Sequence, residues 1–302
     1  RPGTARMLRP SVGGDFERKE GALKMREISR ELVIQTVKEL CIEANRVLPQ
    51  DMKDCLAHAC QIEESPLGRE VLGDIVRNYE TAEQLCIPVC QDTGMAVVFA
   101  ELGEDAHVCG LEDAIHEGVR QGYLDGLLRC SVVGDPLRRV NTNDNTPAML
   151  HLRMVPGDRI SITVAPKGAG SENMSSLRMM TPAATADQIV DYVVQAVETA
   201  GSNPCPPVVV GVGIGGNFEG CALLAKRALC RDTSSGNPDP FYRELEKRML
   251  ERINQTGIGP QGFGGRVTAL AVNIEAGATH IASLPVAVNM GCHVTRHAHR
   301  TI

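Results

Sequence analysis

Segments with helical spacing and segments with strand spacing alternate along this chain, and this alternation most limits what it can fold into. From 27 to 48 apolar residues recur at three- and four-residue intervals, which predicts a helix. Two further helices are predicted within 50–63 and 67–85, whereas 95–102 has the pattern of a strand. A helical N-terminal part followed by mixed helices and strands predicts an α/β, mixed α+β, fold.

The remainder of the chain continues this mixture without an internal repeat or a low-complexity linker. We predict a single domain over 25–302. Residues 1–24 show no periodicity, and we interpret them as an extension outside that domain, either disordered or not native to the chain. The further predicted helices are 112–127, 184–200, 219–229 and 241–253, and the further predicted strands are 149–155, 159–164, 208–212 and 266–274.

Composition argues against two classes of partner. The chain has 31 basic and 37 acidic residues, a net charge of −6, and only 3% aromatic residues. Nucleic-acid binding needs clustered Lys and Arg or stacking aromatic side chains, so we expect no nucleic-acid partner. The longest apolar stretch, Val208–Ile214, contains glycines and is far shorter than the roughly 20 residues that cross a bilayer. We therefore expect no membrane partner and a cytoplasmic location.

Four loops are unusually rich in Gly, Asn, Asp, Ser and Thr. Short loops of this composition offer many hydrogen-bonding groups to a small polar ligand. Turn formation alone would account for any one of them, but four in one chain favour a binding site. The loops are CQDTG at 90–94, NTNDNTPA at 141–148, APKGAGSENMS at 165–175 and GIGPQGFGG at 257–265.

Two motifs look functional but fit their usual chemistry poorly. GVGIGG at 211–216 matches the dinucleotide fingerprint, yet no second strand with an acidic residue follows about 20 residues later. We therefore do not predict a nucleotide site. The segment 292–299 holds one Cys and three His, but their spacing matches no common zinc pattern. It favours an exposed tail over a zinc site.

The chain has 11 cysteines and no CxxC pair, which argues against a zinc ribbon and a thioredoxin-type motif. Most free cysteines are buried as small apolar residues. Cys90, Cys205 and Cys292 differ, because they stand beside loop and chain-breaking residues. Three remote thiolates can converge on one iron–sulfur cluster and leave one iron open as a Lewis acid, although spacing alone does not establish this.

The loops belong to longer stretches that resemble the iron–sulfur hydro-lyases, the class I fumarate hydratases and L-tartrate dehydratases. The resemblance runs from about Met25 to the C-terminus. It implies a four-iron four-sulfur cluster held by Cys90, Cys205 and Cys292, with Cys221 as the alternative second ligand. The stretches, in order, are IPVCQDTGMAVVF, VNTNDNTPA, KGAGSENMSS, NPCPPVVVGVGIGG, GIGPQGFGG and HIASLPVAVNMGC.

The same resemblance implies roles for neighbouring residues. Gln91, Asp92 and His280 would lie near the cluster and substrate, with Asp92 and His280 exchanging the proton of the hydroxyl group. Gln91 and Arg129 would bind the substrate. A further set, Gly168, Ala169, Gly170 and Ser171, would present backbone amides to a substrate carboxylate. Ala169 departs from the glycine usual there, which is acceptable where φ is negative.

The implied reaction is the reversible hydration of fumarate, a dicarboxylate, to (S)-malate. The chain resembles the α subunit of two-subunit forms, so a separate β subunit and an α–α dimer within an α2β2 assembly are expected. The loops 141–148 and 165–175 resemble the fumarase branch, and the alternative is an L-tartrate dehydratase α subunit. Two alternatives outside this family are a non-catalytic iron–sulfur electron carrier and an iron–sulfur regulator. The electron carrier would hold its cluster with four cysteines, and the regulator would carry a basic surface, which the net charge of −6 disfavours.

Overall fold

A computed structural model describes residues 25–302 as a mixture of helices and sheets, which confirms the predicted mixed α+β class. The extension predicted over 1–24 lies outside the described residues. The helices are α1 (Arg30–Arg46), α2 (Gln50–Ile62), α3 (Pro66–Leu85), α4 (Leu111–Asp125), α5 (Ala169–Glu172), α6 (Ala186–Ala200), α7 (Phe218–Ala228) and α8 (Pro240–Asn254). The strands are β1 (Arg26–Glu27), β2 (Met95–Gly103), β3 (Ala106–His107), β4 (Met149–Val155), β5 (Ile160–Lys167), β6 (Ser176–Met180), β7 (Val208–Gly216), β8 (Ala269–Thr279), β9 (Leu284–Met290) and β10 (Ala298–Thr301).

The first large sheet in the described part has the strand order β10-β5-β2-β4. β2 is parallel to β4 and antiparallel to β5, so it separates two strands that are consecutive in sequence. Helices α1 and α4 cover one face and share a core with alternate residues of β5, such as Ile162 and Val164. A Cβ atom on Gly118 of α4 would lie 2.6 Å from the Cβ of Val37 in α1, so glycine permits this close helix packing.

The second large sheet in the described part has the order β6-β9-β7-β8, with β7 parallel to β8 and antiparallel to β9. Val210 and Val212 of β7 join α6 and α8 in one apolar core. The intervening Gly211 and Gly213 face α7, where a Cβ on Gly213 would lie 2.0 Å from the carbonyl oxygen of Cys221. The glycines of the fingerprint-like motif therefore serve close helix–strand packing.

Helices α2 and α3 form a third core with Val209 of β7 and residues near β8. Glu63, the residue that ends α2, is only 1% exposed. Its carboxylate accepts hydrogen bonds from the backbone N–H groups of Ser65 at 2.9 Å, Arg266 at 2.9 Å and Val267 at 2.7 Å. This carboxylate connects the helical pair to the strand that begins at Ala269.

The C-terminal segment is not the exposed tail that its sequence suggested. Residues 298–301 form the edge strand β10, antiparallel to β5, and Arg296 before it is buried. His299 lies between the hydroxyl groups of Ser161 and Thr163, 3.2 Å and 2.9 Å from its ring nitrogens. The partner of this short polar strand is remote in sequence, so no local pattern indicated it. In residues 25–302 no helix is long and apolar enough to cross a membrane.

Candidate active site

A cavity of about 150 Å³ lies where loops of the two large sheets meet. Cys90, Cys205 and Cys292 all line it, although they are remote from one another in sequence. Lys167 at the end of β5 and Lys226 of α7 contribute to the same wall. The structure thus brings together the three cysteines that their loop positions had distinguished.

The first cysteine, Cys90, lies in a loop that helix α4 holds in place. The buried hydroxyl of Tyr123 in α4 donates a hydrogen bond to the carbonyl of Thr93 at 2.7 Å. The backbone N–H of Asp92 points to the sulfur of Cys90 at 3.4 Å. These contacts fix the backbone around Cys90 and the position of its sulfur, so the loop is suited to present Cys90 as a ligand.

The second cysteine has a strained backbone that its neighbours hold in place. Cys205 has φ 56°, in the left-handed region that residues other than glycine rarely adopt. Its carbonyl accepts a hydrogen bond from the backbone N–H of His293 at 3.3 Å. The next carbonyl, that of Pro206, accepts from both the backbone N–H and the side-chain amide of Gln261, each at 2.7 Å. The loop 257–265 thus braces Cys205, and strain maintained in this way is typical of functional sites.

The third cysteine follows β9 and is linked to the first through Arg296. The guanidinium of Arg296 donates a hydrogen bond to the carbonyl of Asp92 at 2.8 Å. Burial raises the pKa of the Cys292 thiol, and Arg296 opposes that rise. Burial likewise raises the pKa of Cys205, and nearby Cys292 and Cys90 raise it further. The three sulfurs are therefore within electrostatic reach of one another.

The three thiols are of the donor type that an iron–sulfur cluster uses. Among residues 25–302, no three His, Cys, Asp or Glu side chains form a group that could hold one ion. In a cluster each thiolate binds a different iron, so the cysteines stand farther apart than the ligands of one ion. Three cysteines arranged around one cavity match that donor type and provide that space.

The carboxylate of Asp92 is both part of the cavity lining and a hydrogen-bond acceptor for two loops. One oxygen accepts from the backbone N–H of Gly94 at 3.0 Å, and the other accepts from the backbone N–H of Ala169 at 2.9 Å. Asp92 therefore sits at the start of α5. These two bonds fix the position of the carboxylate at the cavity wall.

The turn predicted to present backbone amides lines the cavity through Gly168, Gly170 and Ser171. The amide of Ala169 is engaged by Asp92, so the expectation that all four residues offer amides to a ligand needs this correction. Ala169 begins α5 and is absent from the residues with positive φ. The alanine in place of glycine is therefore accommodated without strain, as predicted.

Two lysines that line the cavity, Lys167 and Lys226, and their shared partner Glu172 were not anticipated from the sequence. The ammonium groups of Lys167 and Lys226 both bind the carboxylate of Glu172, the former at 3.2 Å. Burial lowers the pKa of Lys167, which Glu172 opposes. Lysines in a strand and a helix resemble ordinary surface lysines in sequence, and only their meeting at one carboxylate distinguishes them.

Two predicted substrate-binding residues take different positions. Gln91 lines the cavity, and its side-chain oxygen lies 3.7 Å from the sulfur of Cys90. Arg129 lies beside the cavity, where its backbone exchanges two hydrogen bonds with the Thr93 hydroxyl, at 2.9 Å and 3.0 Å. Its side chain is exposed and does not contribute to the lining in this single chain.

His280 is not near the cysteines of its own chain, contrary to expectation. It follows β8 at the end of the sheet where Gly216 pairs with Thr279. Cys205 precedes the opposite end of β7, which is nine residues long. At about 3.3 Å per residue, roughly 25 Å of sheet separates the two. The His280 side chain is exposed and accepts a hydrogen bond from the backbone N–H of Ala282 at 3.1 Å.

The alternative ligand Cys221 does not face the cavity. It is buried in α7 against β7, and its thiol points to the carbonyl of Phe218 at 3.5 Å. Cys230 also lines the cavity, and burial raises the pKa of its thiol to about 12. The geometry therefore favours Cys205 as the companion of Cys90 and Cys292.

The loop 141–148 supports the site from outside. Its buried Asn145 accepts hydrogen bonds from the backbone N–H groups of Ser131 at 2.7 Å and Val132 at 3.2 Å. The same side chain donates to the carbonyl of Gly94 at 3.0 Å. This asparagine thus connects the loop to 90–94, so all four polar loops either line the cavity or hold a loop that does.

Comparison with known proteins, like this geometry, indicates an enzyme. Residues 34–301 match the family described as Fumarate hydratase (Fumerase). The chain belongs to the fumarate hydratase family. As a member of this family, the α-subunit family of the iron–sulfur hydro-lyases, it is a hydro-lyase.

Individual relatives carry the name of a different substrate. A protein of Methanocaldococcus jannaschii, provisionally named L(+)-tartrate dehydratase subunit alpha, is 38% identical over 278 residues, which cover 89% of this chain and 97% of that protein. The L(+)-tartrate dehydratase subunit alpha of Escherichia coli is 33% identical over 254 residues, 82% of this chain and 84% of its own length. That of Shigella sonnei is 32% identical over the same 254 residues. The family and these relatives are thus named for two different dicarboxylates, fumarate and tartrate.

Proposed function

We propose that this hydro-lyase is the α subunit of an enzyme that reversibly hydrates fumarate to (S)-malate. The observation that carries the proposal is the meeting of Cys90, Cys205 and Cys292 at one cavity, with Gln91 and Asp92 beside them. A hydro-lyase for dicarboxylates needs a centre that polarises the hydroxyl group and side chains that bind two carboxylates. This cavity offers groups for both tasks.

We propose that the three cysteines hold a four-iron four-sulfur cluster with one iron free of a protein ligand. When bound, the cluster would supply a Lewis acid at that iron. The donor set fits, because the three thiols surround one cavity. The reducing cytoplasm, where we expect the protein to work, keeps such thiols available.

The side chains of this chain would bind the substrate and handle one proton. Asp92 is fixed by two backbone amides and would exchange the proton of the hydroxyl that leaves or arrives. Lys167, Lys226 and Arg296 place positive charge on the cavity wall, which attracts a dicarboxylate. Gln91 and the 168–171 turn offer neutral donors that orient it.

A β subunit would complete the site. Relatives are named as alpha subunits, which supports a partner of this kind. By family resemblance the base for the carbon-bound proton lies on β. We also propose an α–α dimer within an α2β2 assembly. Since His280 lies at the far end of its own sheet, any acid–base role for it belongs to the cavity of another chain.

The second candidate function is dehydration of L-tartrate. The names of the relatives at 38% and 33% identity favour it. The resemblance of the loops 141–148 and 165–175 to the fumarase branch favours fumarate. Both reactions remove or add water next to a carboxylate, so the same lining residues serve either substrate.

The test is an anaerobic assay of the reconstituted chain with and without a β subunit. We expect the α chain alone to bind about four irons, the number in the proposed cluster, and to show little turnover. Adding β should restore conversion between fumarate and malate. Strong turnover by α alone would overturn the two-subunit proposal. Conversion of tartrate but not malate would select the second candidate, and turnover unaffected by removal of iron would reject the cluster.

A further inference from the structure

Among residues 25–302, the buried cation Arg296 hydrogen-bonds only to neutral groups. The residue is 5% exposed. Its guanidinium donates to the carbonyl of Asp92 at 2.8 Å, the carbonyl of Val294 at 3.0 Å and the side-chain oxygen of Asn45 at 3.1 Å. Asn45 is fully buried and also neutral. These contacts satisfy N–H groups, but none of them balances the charge.

Within the described residues, no carboxylate oxygen lies within 4.0 Å of the guanidinium nitrogens of Arg296, so Arg296 forms no ion pair there. The carboxylate of Asp92 is turned toward the amides of Gly94 and Ala169. The other two cations of the cavity wall, by contrast, share the carboxylate of Glu172. Because an unbalanced buried charge is strongly destabilising, a counter-charge for Arg296 is expected nearby.

We infer that the counter-charge of Arg296 is the anionic thiolate–cluster unit at Cys90 and Cys292. Arg296 lines the same cavity as these cysteines, and the one carboxylate of that lining, Asp92, accepts from the amides of Gly94 and Ala169 and not from Arg296. Arg296 is thus a positioning and charge-balancing residue. This inference rests on the proposed cluster.

The shape of the guanidinium gives it a second task. One terminal nitrogen donates to the carbonyl of Asp92, two residues after Cys90. The other donates to the carbonyl of Val294, two residues after Cys292. A planar fork with fixed donor directions holds two such carbonyls in one arrangement, which a lysine ammonium does less well. Arg296 therefore sets the spacing of the first and third cysteine loops.

A cation beside a cluster has a measurable consequence. Reduction adds negative charge, so a neighbouring positive charge stabilises the reduced form and raises the reduction potential. Replacing Arg296 by a neutral residue should lower that potential, whereas a charged replacement should largely preserve it. The spacing of the loops alone predicts no such dependence on charge.

The experiment compares Arg296→Gln, Arg296→Lys and the unaltered chain, each reconstituted anaerobically with iron and sulfide. Arg300→Gln is the matched control, because Arg300 lies on the same segment but pairs with Glu39 and Glu43 away from the cavity. Circular dichroism establishes folding. Iron and sulfide per chain and the midpoint potential of the cluster are then measured.

We expect a more negative potential for Arg296→Gln, a potential near that of the unaltered chain for Arg296→Lys, and no change for Arg300→Gln. An unchanged potential in a loaded Arg296→Gln protein would overturn the inference. Where Arg296→Gln folds but loses the cluster, we expect Arg296→Lys to retain more iron, and equal loss in both would overturn it. Failure of the unaltered chain to bind iron and sulfide would instead reject the proposed cluster.

Discussion

The backbone N–H of Ala169 donates a hydrogen bond to the carboxylate of Asp92 at 2.9 Å. This bond connects the first cysteine loop of the chain to the turn at the end of β5. It leaves Asp92 with two tasks, because the carboxylate that would exchange a proton also positions a wall of the cavity. The variants below are chosen to separate chemical tasks from structural ones.

Asp92→Asn should lower turnover by about 10²-fold or more, on the scale of a lost acid–base group, while the protein keeps its iron. The asparagine oxygen can still accept one of the two backbone hydrogen bonds, so the loop should stay in place. Turnover by the α–β complex and iron per chain are the measurements. Asp187→Asn, at an exposed ion pair with Arg248, is the control. Near-normal turnover would remove Asp92 from the mechanism.

Cys90→Ser, Cys205→Ser and Cys292→Ser should each abolish cluster binding, because each removes one of three thiolates around the cavity. Cys221→Ser should retain the cluster, since the Cys221 thiol packs beside Ala287 and points to the carbonyl of Phe218, away from the cavity. The visible absorption and the iron content of anaerobic protein report the result. Loss of colour in Cys221→Ser together with colour in Cys205→Ser would contradict the ligand assignment.

A His280→Asn chain should lose about 10²-fold in turnover with its cluster intact, if His280 serves the site. Because His280 is remote from its own cavity, co-expression with a Cys292→Ser chain should restore part of the activity. In such mixed dimers one cavity has both a cluster and an intact His280 from the other chain. The activity of the mixture is compared with that of each variant alone. Absence of any restoration would argue against a role across chains.

Gly213→Ala should destabilise the protein by about 1–3 kcal/mol or more, the usual cost of overpacking. The added methyl would lie 2.0 Å from the carbonyl oxygen of Cys221, so α7 must move away from β7. Gly134→Ala is the control, because the nearest atoms there are 3.9 Å away. Urea unfolding of the apo-protein compares the two variants. Equal stability would show that the helix can shift at little cost.

Glu63→Gln should cost about 1–3 kcal/mol of unfolding free energy near pH 7, because it weakens hydrogen bonds from three backbone N–H groups to a buried carboxylate. Burial raises the pKa of Glu63, but the hydrogen bonds outweigh it and the net pKa is lowered. The stabilisation is therefore present above the unfolded-state pKa, about 4.3, and is lost as pH falls through the lower folded-state value.

The difference in unfolding free energy between Glu63→Gln and the unaltered chain should accordingly shrink at about pH 3. Glu64→Gln is the control, since Glu64 is exposed and forms an exposed ion pair with Arg266. Urea unfolding at both pH values provides the comparison. A difference that stays constant with pH would show that the charge of Glu63 does not contribute.

Local spacing was enough to predict every helix except the four-residue α5, and the five strands β2, β4, β5, β7 and β8, because each depends on residues a few positions apart. The loop positions of Cys90, Cys205 and Cys292 also distinguished these cysteines from the others. That β6, β9 and β10 are strands, that Cys221 faces away from the cavity and that His280 lies at the other end of its sheet became visible only in the folded chain. These outcomes depend on strand order, which joins residues remote in sequence. The unpaired charge of Arg296 likewise becomes visible only when the loops around it are assembled.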